Sequence, residues 1–355
     1  MRGLLIWITA VGFILGFGLG PSIVESLQCP TVADPGVLRV AMLHYGPVED
    51  AGWTYQGHVA MGQLDRRFDW VEVEEIEDAP SLGGEDVVRQ VAEAGYDLVL
   101  THGWGSDIVP DIAPDYPDVL FLCGGAHGRL GPNVGSYYGR THEARYLAGM
   151  VAGHMTESGI IGYAPSHPLP RVIAGVNAFA RGVAVANSEA TIEIAWVNEW
   201  YDPAREADAI EELIAKGCDV VTHDSDSFAS AAAAEEAGVL YVAGHDQGMQ
   251  AYAPSVYLTA LDWNWTPLFV DVVTAVRDGM WNAKADDGWW YGLPEGCITL
   301  APMTDLVPES VQDGVLERRD EILRGEFVVF PELTDDELWQ MTTFEPNVVP
   351  NLPEG

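Results

Sequence analysis

Acidic and tryptophan residues gather at the ends of short apolar runs. They do so in HYGPVEDAGWTYQG at 44–57, AWVNEWYDP at 195–203, HDSDS at 223–227, GHDQGMQAYAP at 244–254 and YLTALDWNWTP at 257–267. A carboxylate accepts hydrogen bonds from ring or exocyclic N–H groups, and an indole face stacks a flat ligand. Asp50 and Trp53 are the candidates in the first loop, with Thr54 and Tyr55 beside them at a helix start. Asp50 could equally cap that helix, and Trp53 could pack one lobe. Trp196 and Trp200 share a face if their strand persists that far, with core packing as the competing role. In the HDSDS stretch, His223, Asp224 and Asp226 could coordinate a metal. Hydrogen bonding through Asp224 or Ser225, with the rest capping the next helix, is simpler. Asp246 and Trp263 complete the candidate set.

Catalysis finds less support. His44, His102, His127, His167, His223 and His245 all fall near strand ends, which keeps nucleoside hydrolysis as an alternative. The chain has no G-x-S-x-G elbow, no HExxH and no aspartate quartet near its first strand. The first loop also lacks both phosphate-cradling glycine patterns, and Glu49 and Asp50 would repel a phosphate. The residues predict binding without chemistry, and they call for neither metal nor cofactor.

The elements that must position these loops alternate. Runs at 37–43, 70–77, 97–103 and 118–125 read as strands, and 55–68 and 85–95 as helices. The rhythm restarts after a helix at 142–155. Strands follow at 159–165, 191–198, 218–224 and 239–245, and helices around 173–187, at 203–217 and at 228–238. Strand–helix crossovers build a parallel sheet covered on both faces, and two such series predict two similar α/β lobes. The expected boundary is near 156–158. Ligand loops leave the carboxyl ends of such strands, so the acid- and tryptophan-bearing loops should face one another across a cleft.

Of the 355 residues, 54 are acidic and 17 basic, for a formal net charge of -37. That balance disfavours nucleic acid as a partner. With only Lys216 and Lys284 as lysines, the acidic surface suits a high-salt environment. Residues 4–20 form one apolar segment behind Met1 and Arg2, read as a secretion signal or an uncleaved anchor. Cys29 follows it, but Ser26, Leu27 and Gln28 match a lipidation context poorly. The body is expected outside the cytoplasmic membrane. Cys123 and Cys218 read as buried small hydrophobes, and together with Cys297 they show no metal-like or redox-like spacing.

Four segments taken together resemble one family. DAGWTYQG at 50–57, NVGSYYGRTHEARYLAG at 133–149, WVNEWYDPAREADAIEELIAKGCDV at 196–220 and LTALDWNWTP at 258–267 are similar to the basic membrane protein family of solute-binding proteins. This family, also called the purine nucleoside receptor type, serves ABC importers, and the likeness runs from about Val37 to about Phe330. It implies a type I periplasmic-binding-protein fold, with two doubly wound lobes that close on a ligand. Its implied domains are a signal or anchor and linker at 1–36, lobe 1 at 37–157 plus about 263–285, lobe 2 at 158–262 plus about 290–330, and a tail at 331–355. The implied partners are a small purine and the membrane permease subunits, with the binding protein itself a monomer. By the same likeness, Asp50 and Trp53 engage the purine, with Thr54 where the family often has asparagine. Trp196 or Trp200 stacks from the second lobe, and Asp224 and Asp246 supply further acids. Nucleoside-binding members carry a lysine at the end of the LTALDW-like strand. Here Trp263 stands there with no lysine nearby, so a free base is expected ahead of a nucleoside, and the tryptophan-rich version resembles the subgroup associated with adenine. A sensory receptor of the same fold is the remaining alternative.

Overall fold

The computed structural model describes residues 36–50, 52–245, 248–281 and 288–352. The apolar segment at 4–20, Cys29 and Asp246 lie outside them. Among the described residues no helix is long and apolar enough to cross a membrane.

The first series contains β1 (Leu38–His44), α1 (Trp53–Arg67), β2 (Val71–Ile76), α2 (Glu85–Glu93), β3 (Leu98–His102), α3 (Val109–Ile112), β4 (Leu120–Gly124) and β5 (Val134–Gly139). The second has α4 (Thr141–Met155), β6 (Ile160–Ala164), α5 (Pro170–Ala186), β7 (Thr191–Ile194), α6 (Pro203–Ala215), β8 (Val220–His223), α7 (Ala229–Ala237), β9 (Leu240–Ala243) and β10 (Tyr257–Trp263). There follow α8 (Thr266–Arg277), β11 (Trp289–Tyr291), β12 (Ile298–Leu300), α9 (Glu309–Leu323), α10 (Asp335–Leu338) and β13 (Val348–Val349).

These strands form two sheets, ordered β11-β5-β4-β3-β1-β2 and β12-β10-β9-β8-β6-β7-β13. All neighbours are parallel except β10 and β12. Side chains of a strand alternate between the faces, so a sheet buried on both sides needs apolar residues at every position. β1 does this: Val40 and Met42 join one core cluster, while Ala41 and Leu43 join the other. In the second sheet Val220 and Val221 divide the same way.

The chain crosses between lobes three times. It leaves the first sheet after Gly139, and α4 already packs with the second lobe. Tyr146, Leu147 and Val151 share a core with Ile161, Phe179 and Val183. Two glycines allow this packing. A Cβ on Gly149 would lie 2.1 Å from the Phe179 carbonyl oxygen, and one on Gly182 would lie 2.0 Å from that of Tyr146. The first crossing thus lies at 139–141, not near the expected 156–158. The second falls after β10, since α8 joins the first-lobe core through Leu268, Phe269 and Val272. The third falls between β11 and β12.

Arg140 ties the first and third crossings together. It donates to Glu143 at 2.8 Å, to Glu295 at 2.5 Å and to the Trp290 carbonyl. Glu143 in turn accepts from the Leu293 amide at 2.7 Å. The described part of the tail wraps the second lobe. β13 adds an edge strand beside β7, and Asn177 donates to the Thr343 carbonyl at 2.8 Å.

Candidate functional site

Between the lobes lies a cavity of about 340 Å³, within the range of small-molecule sites. Its first-lobe wall is set by Trp53 at the start of α1. The indole stacks on His102 at 4.6 Å and on Tyr138 at 5.7 Å, and Trp263 and Trp265 meet it edge-on at 5.2 and 4.9 Å. His102 is fully buried, and burial holds its pKa well below the ordinary histidine value. The ring is therefore neutral. Its Nε2–H donates to the Trp53 carbonyl at 2.9 Å, and the Tyr137 hydroxyl donates to Nδ1. α1 can approach this ring because residue 57 is glycine: a Cβ there would lie 2.7 Å from His102 Nε2.

Asp50 lines the cavity, yet its oxygens serve the backbone. They accept from the amides of Gly52 at 3.2 Å, Thr54 at 3.0 Å and Tyr55 at 2.8 Å, satisfying N–H groups that α1 leaves without helical partners. A second carboxylate, Asp226, reaches the same helix end from the other lobe and accepts the Trp53 amide at 3.3 Å. Gly52 makes room for it, since a Cβ there would lie 2.0 Å from Asp226 Oδ1. Burial, reinforced by Asp50, pushes the Asp226 carboxyl well above the usual carboxylate range. Behind it stands His245, its Nε2 at 3.4 Å from Asp226 Oδ1. The Trp263 indole donates to His245 Nδ1 at 2.7 Å, which leaves the proton of the neutral ring on Nε2, facing Asp226.

The second-lobe wall adds Arg145, Tyr163, Arg171, Trp200 and Asp224. Asp224 accepts the Ser166 amide at 2.6 Å, and burial raises its pKa while Arg145 opposes the rise. Arg145 is buried on α4 and donates to the His223 carbonyl at 2.8 Å. The Arg171 guanidinium lies 5.9 Å from the centre of the Tyr138 ring and 5.3 Å from that of Trp200, so it bridges aromatic faces of the two lobes. The Tyr163 hydroxyl is buried without a hydrogen-bond partner among the described residues. His223 stacks on Tyr241 instead of turning toward Asp224 and Asp226, and among the described residues no group of three could hold a metal ion.

Asp50, Trp53, Thr54, Trp200, Asp224 and Trp263 thus meet around one cavity. Two sequence candidates do not. Tyr55 is exposed on the outer side of α1. Trp196 packs against the second-lobe core, and its indole donates to the Pro350 carbonyl at 2.8 Å, anchoring the tail. The expectation for Trp196 assumed a strand to 198, but β7 ends at Ile194 and Asn198 turns with φ 57°. Sequence reasoning missed Tyr138, Arg145, Tyr163, Arg171 and His245 as cavity residues. Tyr138 on β5 and Arg145 on α4 do stand inside the segment 133–149 that carries the family resemblance.

Residues 37–330 match the model of the Bmp family, described as ABC transporter substrate-binding protein PnrA-like. The chain belongs to this family. Purine-binding protein BAB2_0673 of Brucella abortus is 35% identical over 296 residues, covering 82% of this chain and 83% of that protein. A putative ABC transporter glucose-binding protein, TsgA13 of Haloferax volcanii, is 32% identical over 323 residues, covering 89% and 81%. Among solved structures, an ABC transporter solute-binding protein from Conexibacter woesei superimposes with a TM-score of 0.66 at 25% identity, covering 82% of this chain and 98% of that one. This Bmp-family protein is a two-lobed, type I periplasmic binding protein of an ABC importer. It acts outside the cytoplasmic membrane and binds its solute without catalysis.

Proposed function

We propose that this protein captures a purine base by closing its lobes over the ring. The observation that carries the reading is the composition of the cavity. Trp53 and Tyr138 from one lobe face Trp200 and Tyr163 from the other, with Asp224, Asp226 and two arginines between them. Flat faces suit an aromatic ring, and the polar groups suit its hydrogen-bonding edges. Similarity to the Brucella purine-binding protein supports the same class. Trp263 favours a base over a nucleoside. It is buried, stacked on Trp265 at 4.7 Å and bonded to His245, so it offers a ribose no free donor. These features argue for a free base, with adenine the first expectation from the family resemblance.

The Haloferax relative's name favours a second reading, a hexose. A hexose also presents C–H faces to aromatic rings, but its rim of hydroxyls demands more polar partners than a purine edge, and each one buried without a partner costs about 1–3 kcal/mol. Calorimetric titration of the protein in molar salt with purine bases, purine nucleosides and glucose tests the proposal. The expected order is base, then nucleoside, then glucose. Heat from glucose alone, or from none of the purines, overturns it.

A further inference from the structure

The cavity wall carries a guanidinium that has no ion-pair partner among the described carboxylates. Arg171 makes no salt bridge with any described carboxylate, and its guanidinium is held at the wall by Tyr138 and Trp200. An arginine has only donors and no acceptor. Arg145 is buried on α4 with one N–H given to the His223 carbonyl, whereas Arg171 stands between the aromatic faces of Tyr138 and Trp200 at the mouth of the two lobes. Asp224 and Arg145 line the same second-lobe wall as Arg171. No asparagine or glutamine lines the cavity among the described residues.

This inventory discriminates between purines. A guanidinium fits the paired acceptors O6 and N7 of a 6-oxopurine, whereas the N6-amino and N7 edge of adenine is matched by an amide, which offers one acceptor and one donor. A carboxylate next to the guanidinium accepts the N1–H of a 6-oxopurine but would meet the lone pair on N1 of adenine. Adenine in that orientation sets donor against donor at C6 and acceptor against acceptor at N1. Resting on the purine reading above, we infer that the site selects 6-oxopurines over adenine, with Arg171 reading O6 and N7 and Asp224 accepting from N1–H. This order is the reverse of the adenine preference that the resemblance to the tryptophan-rich subgroup implies.

Hypoxanthine and adenine make the cleanest pair of probes, since they differ only in the oxo or amino group at C6 and the N1 proton that accompanies it. Calorimetric titration of the full chain in molar salt should show hypoxanthine binding about tenfold or more tighter than adenine. The Arg171→Gln variant supplies the amide that matches adenine, and its preference should collapse or invert. Its melting temperature, compared with that of the unaltered protein, establishes that it is folded. Equal binding of the two bases by the unaltered protein, or tighter binding of adenine, overturns the inference and leaves the purine reading standing. An unchanged preference in folded Arg171→Gln overturns the assignment to Arg171. Absence of heat with both bases overturns the purine reading and this inference together.

Discussion

Asp50 and Trp200 both stand in the cavity wall, but they do different work. Asp50 bonds three amides at the start of α1, and removing a helix-capping carboxylate costs about 1 kcal/mol. Trp200 is half-buried under Arg171, and stacking of a base on an aromatic ring contributes about 1–3 kcal/mol. Asp50→Ala should therefore lower the urea midpoint with little change in base affinity. Trp200→Ala should weaken base binding roughly tenfold or more with little change in the midpoint. A reversal of the two effects would show that Asp50 reads the ligand and Trp200 packs the fold. At this scale the sequence was readable where a polar or aromatic residue directly follows an apolar strand, as with Asp50, Trp53 and Asp224. It was unreadable where the residue sits on a helix whose run of small and apolar residues looks like core. Arg145 and Arg171 are of that kind, because local pattern does not say which turn of a buried helix opens onto a cavity.

The alternation of strands and helices was legible because each strand is apolar at successive positions and each helix carries a spaced stripe. In α1 that stripe is Thr54, Gly57, Ala60, Met61 and Leu64. Membership of a lobe was less legible. α4 follows the first series in sequence but belongs to the second lobe, because Gly149 and Gly182 let it lie against α5. Such pairing depends on a partner more than twenty residues away. The elements also meet across the cleft, where Asp226 accepts an amide at the N-terminus of α1, an end that favours negative charge. Asp226→Ala should weaken ligand binding by loosening the closed state, whereas Asp226→Asn retains an acceptor for the Trp53 amide and should bind nearly as well. Small-angle scattering with saturating ligand would report the closure. The two carboxamide and carboxyl forms also separate with pH. Asp226 faces Asp50, Glu206, Asp224 and His245, and its folded pKa lies well above its unfolded value of 3.8. A raised carboxyl pKa contributes stability that is full below the unfolded value and is lost as pH rises toward the folded one. Asparagine has no such dependence, so the stability of Asp226→Asn relative to the unaltered protein should grow as pH rises above about 4. A constant difference between pH 4 and 7 in denaturant titrations would contradict a carboxyl pKa raised by burial.

The whole molecule separates two electrostatic environments. Its surface carries most of a net charge of -37, so at low ionic strength the compact state repels itself. In 1 M salt the screening length falls to about 3 Å, and repulsion between surface carboxylates at larger distances is removed. The cavity differs in kind: Arg145 and Arg171 stand among its four aspartates, and a neutral purine contributes no net charge when it enters. Stability and binding should consequently respond differently to salt. The urea midpoint at pH 7 should rise steadily from low salt to molar potassium chloride, and the rise should shrink as pH approaches the sequence isoelectric point of about 4.2. Once the protein is folded, the Kd for a neutral base should change little over the same salt range. A midpoint indifferent to salt would mean that the carboxylates are too dispersed to destabilise the fold. A Kd that weakens steeply with salt would mean that the ligand carries charge, because only a charged solute is drawn to Arg171 or Asp224 over distances that salt can screen. The ionic-strength dependence of binding thereby tests the neutrality of the solute independently of which ring edge the cavity reads.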